Sequence, residues 1–166
     1  LLLVLTLFSL VSCAEGSFER LSGKKQMARY VIDGDTVELF SGERIRYTGI
    51  DAPETRLKQG AEWVFSPEML AVEAKERNEE LVRGKELSLE FDQDIKDKYG
   101  RYLAYVYADG EMVNLKLIEE GLASVYTFPP NVRYYKALNE AQQKAVASGR
   151  GIWGRAPKIK ADEASA

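Results

Sequence analysis

Histidine is absent from the 166 residues, and cysteine occurs once, as Cys13. The first absence removes His-based triads, His general bases and His metal ligands. The second removes a disulfide framework and any thiolate cluster for a soft metal. A basic excess is missing too: 23 Lys and Arg stand against 26 Asp and Glu, for a net charge of −3. That balance argues against a protein that coats nucleic acid, yet it permits an enzyme with a local basic pocket. What remains is an ordinary globular composition, 45% hydrophobic and 30% charged, of a length that suits one domain with a real core.

The start differs from the rest. "LLLVLTLFSLVSC" carries no charge and is mostly apolar. It is short for a transmembrane helix and reads as the hydrophobic region of a secretory signal. No Met or basic region precedes it, so a truncated signal is expected. "LVSC" resembles a bacterial lipobox, which makes Cys13 the lipidated first residue of the mature chain; a plain cleaved signal is the competing reading. The expected organisation is a signal over residues 1–12, a tether over 13–24, a folded domain over 25–155 and a polar tail over 156–166. The implied location is the cell envelope or the medium. Ala14 after the cysteine favours an outer-membrane or surface site in a cell with two membranes.

Three strand-like runs follow, "MARYVI", "DTVELF" and "ERIRYTGI", separated by Asp33-Gly34 and Ser41-Gly42. These are short hairpin signals, and the runs read as a meander. A two-residue turn at Ser41-Gly42 puts Phe40 opposite Glu43, Val37 opposite Arg46 and Asp35 opposite Thr48. Asp35 and Arg46 then share one face, diagonally apart, and Asp51 ends the third strand at the same end of the sheet. "TRLKQGAEWVF" reads as a loop. Ser66-Pro67-Glu68 signals a helix start, with Leu70, Ala74, Arg77 and Leu81 at helical spacing and Gly84 closing the helix. "ELSLEF" and "RYLAYVY" alternate as strands, with a turn at Asp109-Gly110. Helices fit 113–120 and 131–148, the second with Tyr134, Leu138, Ala141 and Ala145 on one face. The expectation is an α+β fold: a five-stranded OB-fold barrel with three helices packed against it.

Asp35 and Asp51 are plain turn or strand-end residues if taken singly. Together with Glu54 they are oxygen donors at a loop edge, which suits a hard cation. Two carboxylates are too few for a calcium cage and fit a site completed by backbone carbonyls, water and a substrate phosphate. Arg46 and Arg101 are either surface ion pairs or a two-guanidinium clamp on a phosphate. "DQDIKDKYGR" fails as an EF-hand loop, lacking Gly at its sixth position and Glu at its twelfth, and is read as a loop delivering Lys98, Tyr99 and Arg101. "GRGIWG" matches a dinucleotide motif in letters only, because it follows a helix; Gly149 is read as a helix cap. Tyr126 and Phe128 either stack bases or fill the core.

"DGDTV", "RIRYTGIDAPET", "DKYGRYLAYVYADG", "MVN" and "GLASV" together resemble the staphylococcal nuclease (thermonuclease) family, over about residues 28 to 153. The resemblance implies an OB-fold barrel with three helices, Ca2+ dependence, and endonucleolytic hydrolysis of DNA and RNA to 3′-phosphate ends. By position, Asp35 and Asp51 match the calcium carboxylates, and Ala52 falls where the family supplies a backbone carbonyl. Glu54 matches the general base, and Arg46 and Arg101 the phosphate arginines. Lys98 and Tyr99 match residues near the terminal phosphate of a bound nucleotide. Tyr126 matches a base-side tyrosine, and Phe128 stands in place of a second one. The loop between Thr55 and Ser66 departs from the family pattern. The implied partners are single-stranded or denatured DNA and RNA, a membrane if Cys13 is lipidated, and no second subunit. The competing class is a non-catalytic OB module that binds nucleic acid or protein. A basic groove from Lys98, Arg101, Arg46 and Arg133 is expected to offset the acidic chain.

Overall fold

The computed structural model describes residues 18–60 and 62–154. The signal region, Cys13 and the tail over 156–166 lie outside the described residues.

Five main strands form the body: β1 (Ala28–Asp33), β2 (Thr36–Leu39), β3 (Arg44–Tyr47), β7 (Leu87–Lys96) and β8 (Tyr102–Ala108). Their order is β1-β2-β3-β8-β7, with β3 and β8 parallel and the other pairs antiparallel. The two ends of this path meet only at an isolated bridge, where Gln26 and Leu87 exchange backbone hydrogen bonds of 2.8 and 2.7 Å. The expected barrel is therefore a curved sheet with one bridge across its seam, and no continuous ladder closes it among the described residues. Short strands β4 (Ile50–Asp51) and β10 (Ser124–Val125) pair beside it, and β9 (Glu111–Met112) extends β8.

Beside the sheet stand α1 (Ala71–Val82), α2 (Val113–Glu119) and α3 (Tyr135–Ala147), the three expected helices, and the described residues open on a further helical turn at 18–21. The core lies between sheet and helices, built from alternate strand residues such as Val37, Leu39, Ile45, Leu87 and Val106 and from Leu117, Ile118 and Leu138 of the helices. Leu21 is fully buried in it, and Phe18 meets Phe91 edge-on at 5.2 Å. Residues 18–21 thus pack on the domain, ahead of the expected boundary at 25.

Four local expectations are corrected. The β2–β3 turn is one residue longer than expected: Leu39 N–H donates to Glu43 C=O at 2.9 Å, and Thr36 pairs with Arg46. Gly42 makes this possible at φ 94°, a region that L side chains avoid. Asp51 does not end β3; the chain turns at Thr48-Gly49 and Asp51 sits on the separate β4. The stretch expected as a loop is a hairpin, β5 (Arg56–Gln59) against β6 (Glu62–Phe65). Finally, α1 starts at Ala71, after the Ser66-Pro67-Glu68 signal, and Leu70 before it has φ 66°. The reason is tertiary: Glu68 N–H donates to Glu54 C=O at 2.9 Å, and the Glu68 carboxylate accepts from Glu54 N–H at 3.0 Å. Those bonds hold 66–70 out of the helix.

The buried stripe of α1 is Ala71, Ala74, Asn78 and Val82, rotated by one position from the expected Leu70, Ala74, Arg77 and Leu81. Small residues face inward because the helix lies close to the β1–β2 turn. A Cβ placed on Gly34 would sit 2.9 Å from Ala74 Cβ and 2.5 Å from Ala52 Cβ. Gly34 therefore lets the helix, the turn and the segment after β4 approach one another.

Candidate active site

The register change separates Asp35 and Arg46 on paper, yet they meet. Asp35 lies in the turn before β2, so its side chain escapes strand alternation. Arg46 projects from β3 toward that turn. One terminal nitrogen, Nη1, contacts Asp35 Oδ2 and donates to the carbonyl of Ile50 at 3.0 Å; the other, Nη2, donates to Asp51 Oδ1 at 2.6 Å. One guanidinium thus holds two carboxylates that stand 16 residues apart, from Asp35 to Asp51.

Asp35 is 4% exposed. Its Oδ2 also accepts from Ala52 N–H at 2.8 Å and its Oδ1 from Thr36 Oγ1 at 3.0 Å. Burial pushes its carboxyl up to about 8. Arg46 pulls it down but is shared with Asp51, and neighbouring Asp33 pushes upward. Asp33, which sequence reading did not select, accepts from Asp35 N–H at 3.1 Å. Its position in the Asp33-Gly34-Asp35 turn was the available signal.

Two buried asparagines fix the frame around this cluster. Asn78 of α1 donates to Asp33 C=O at 3.1 Å and accepts from Tyr47 Oη at 2.8 Å. Asn114 of α2 donates to Thr48 C=O and accepts from Val106 N–H, both at 2.9 Å. Each ties a helix to the sheet edge that bears the acids, and each leaves no buried amide group idle.

Glu54 follows β4, its backbone held in the reciprocal pair with Glu68. Partial burial raises its carboxyl, and Asp33, Asp51 and Glu68 raise it further against the pull of Arg46. Such a carboxylate takes a proton more readily than an ordinary one. Glu54 opens into a groove of about 1300 Å³ whose walls also include Asp33, Tyr99 and Arg101.

The Lys98-Tyr99-Arg101 loop is organised by Asp97, also missed in the sequence. Its Oδ1 accepts the N–H groups of Tyr99 and Arg101 at 2.9 and 3.0 Å, and its Oδ2 takes Arg101 Nε at 2.8 Å. An Asp opening a turn three residues before Gly100 is the signal that marks it. Tyr99 is 72% exposed, with Lys98 Nζ and Arg101 Cζ 5.1 and 5.6 Å from its ring centre.

Tyr126 and Phe128 are 58% and 71% exposed, so they do not fill the core. They are not in the walls of the groove. Tyr126 N–H donates to Gly49 C=O at 3.0 Å, next to the β4–β10 pair that carries Asp51. Their loop is tied to β7: Asn131 and Asp94 exchange bonds of 2.8 and 2.7 Å, and Arg133 and Tyr134 bind Glu90. Arg133 is thereby paired with Glu90 and Asp92 and does not join the expected basic groove.

The donor set at Asp35, Asp51 and the Ala52 carbonyl is all oxygen, the chemistry a hard cation requires. Among the described residues no group of three or more His, Cys, Asp and Glu stands ready to hold a metal. Two acids drawn onto one guanidinium show a local demand for positive charge. A hard cation held here by Asp35, Asp51 and the Ala52 carbonyl would need water and substrate to complete its ligands.

Comparison with known proteins points to one family. Residues 44–155 match the family model described as Staphylococcal nuclease homologue. The chain is 34% identical over 160 residues to the thermonuclease of Staphylococcus intermedius, covering 92% of each chain. It is 40% identical over 129 residues, 75% of its length, to two Bacillus subtilis (strain 168) proteins, the SPbeta prophage-derived endonuclease YokF and the endonuclease YncB. It spans only 42% and 59% of the lengths of those two relatives. With a family model matched over residues 44–155 and a relative 34% identical over 92% of each chain, the chain belongs to the staphylococcal nuclease family.

Proposed function

We propose that this chain is a calcium-dependent nuclease that hydrolyses phosphodiester bonds in single-stranded or denatured DNA and RNA and leaves 3′-phosphate ends. The observation that carries this reading is the pair of carboxylates, Asp35 and Asp51, held on Arg46 beside a groove lined by Glu54 and Arg101. The relatives' names, thermonuclease and endonuclease, support the same reaction class.

Asp35, Asp51 and the Ala52 carbonyl are the calcium ligands in this reading. Bound there, the ion supplies Lewis-acid polarisation of the scissile phosphate and neutralises its charge. Glu54 accepts the proton of the attacking water, aided by its raised carboxyl. Arg101 has Nε committed to Asp97, and its two terminal nitrogens, which make no hydrogen bond among the described residues, offer a phosphate a bidentate fork. Arg46 is engaged with the two acids; each terminal nitrogen that leaves a carboxylate becomes free for a phosphate oxygen. Both guanidiniums then stabilise the charge that grows in the pentacoordinate state. Tyr99, Tyr126 and Phe128 present exposed rings for sugar and base contacts, with Lys98 at the terminal phosphate.

The protein acts as a monomer outside the cytoplasm in this reading, with a lipid on Cys13 anchoring it to the envelope. Mass spectrometry of its N-terminal peptide reads the lipid directly. Nuclease action is tested by incubating the purified protein with heat-denatured DNA, with Ca2+ or with a chelator, beside Glu54→Ala. Cleavage only with Ca2+, and largely lost in the variant, supports the assignment. Intact folding without cleavage in any condition overturns it.

A further inference from the structure

The groove beside Glu54 is more basic than the chain. Its walls carry six cations, Arg44, Arg56, Lys58, Lys75, Lys96 and Arg101, against four acids, Asp33, Glu38, Glu43 and Glu54, in a chain of net charge −3. Three of these cations are engaged. Arg44 pairs with Glu38, Arg101 with Asp97, and Lys96 rests over the Tyr102 ring. The side chains of the other three, Arg56, Lys58 and Lys75, make no ion pair or hydrogen bond among the described residues. Three cations without a side-chain partner thus gather in one groove, on two neighbouring elements.

Their placement follows from the hairpin that the sequence did not predict. Arg56 and Lys58 are two apart on β5 and share one face of it. Phe65 of β6 stands directly opposite Arg56, so it lies on that face too, and it is 71% exposed. Lys75 comes from α1, which forms the adjoining wall. The face therefore offers two cations on a strand, a third across the groove and a ring standing in water. Idle cations suit phosphates, and an exposed ring suits an unstacked base.

We propose that the β5–β6 hairpin and Lys75 form an extended single-strand track, in which Arg56, Lys58 and Lys75 bind successive backbone phosphates beyond the scissile one and Phe65 stacks a base. This deepens the nuclease reading and rests on it for the direction of the strand. It also explains how an acidic chain engages a polyanion: the surplus negative charge lies elsewhere, and the groove keeps unpaired positive charge.

The test is binding, measured apart from cleavage. Fluorescence anisotropy with labelled oligothymidylates of four and twelve nucleotides, in chelator, gives affinity against length and against salt. The wild type binds the longer strand more tightly. In Arg56→Gln/Lys58→Gln/Lys75→Gln that gain disappears, and the slope of log K against log[salt] becomes shallower by about 2, as expected for three lost phosphate contacts at ~0.7 each. Phe65→Ala weakens the twelve-nucleotide strand by about tenfold without changing the slope. Lys136→Gln/Lys144→Gln, exposed on α3 and away from the groove, leaves the slope unchanged. An equal loss in that control, or a triple variant that keeps both the length gain and the slope, overturns the track. Circular dichroism confirms folding of each variant, and Arg56→Lys, which keeps the charge, retains the wild-type slope. Loss of calcium-dependent cleavage with intact length dependence sinks the nuclease reading alone; cleavage with no length dependence sinks the track alone.

Discussion

Asp97 holds Arg101 at two points, taking its backbone N–H at 3.0 Å and its Nε at 2.8 Å. The side chain cannot rotate without breaking a charge-assisted bond, so its guanidinium is restrained. In the proposed nuclease this would orient the phosphate-binding fork before substrate arrives, and orientation of this kind carries much of an enzyme's advantage.

Asp97→Ala should therefore lower kcat by roughly 10²-fold with a smaller change in KM, since it frees Arg101 without removing it. Asp97→Asn keeps an acceptor for the two N–H groups and should recover part of that loss. Steady-state kinetics on one oligonucleotide substrate checks both. Equal activity in Asp97→Ala and the wild type removes Asp97 from the positioning role.

Arg101→Lys and Arg46→Lys should both lose activity by orders of magnitude, because a point charge replaces a planar fork. They should differ in stability. Arg101 sits at the groove wall, whereas Arg46 satisfies two carboxylates and the Ile50 carbonyl. A lysine cannot span all three, and the loss of a charged hydrogen bond there should cost about 2 kcal/mol. Urea unfolding distinguishes the two; identical midpoints contradict the bridging role of Arg46.

Gly34→Ala should be destabilised by about 1–3 kcal/mol, as overpacking in a filled interior usually is. Its Cβ would meet Ala52 and Ala74 at 2.5 and 2.9 Å, and neither alanine has a flexible end to move aside. The backbone that must give way carries Asp35 and Ala52, so catalysis should fall with stability. A variant as stable and active as the wild type would show that this approach is slack.

Glu90 makes a prediction in pH. Burial pulls its carboxyl upward, but bonds from Arg133, Tyr134 and Tyr107 together hold it below the usual carboxylate range. A group depressed in the folded state contributes stability above its unfolded pKa, near 4.3, and loses it as pH falls through the folded value. The contribution should be complete at neutral pH and fade on acidification below about 4. Glu90→Gln should be less stable than the wild type at pH 7, and the gap should narrow at pH 3. Because Arg133 and Tyr134 end the loop that bears Phe128, fluorescence from that region should change with the same profile. A gap that is constant with pH removes the ionic part of this contact.

Much of this molecule was legible in its residues. The turn at Asp109-Gly110, the helix ending before Gly121 and the stripe Leu138, Ala141 and Ala145 are local patterns, and they stand where they were read. The family resemblance picked out Asp35, Asp51, Glu54, Arg46 and Arg101 as candidates, and the structure brings Asp35 and Asp51 onto Arg46. The absence of histidine and the lone cysteine restricted any metal to hard oxygen donors. Local spacing and side-chain chemistry determine these features, so a sequence displays them.

Tertiary structure decided the rest. The helix signal at Ser66-Pro67-Glu68 is a sound local signal that lost to the reciprocal bonds between Glu54 and Glu68. The β2–β3 register turned on one extra residue in a turn, which moves every side chain to the other face of a strand. Asn78 and Asn114 have nothing in the sequence to announce them, and Asp33 and Asp97 show only a turn signal; all four matter because of what they reach. The sharing of Arg46 between two distant acids, and the three cations left idle in the groove, depend on burial and on partners far apart in the chain. Long-range packing sets which charges are paired and which stay free, and no short stretch of sequence contains that information.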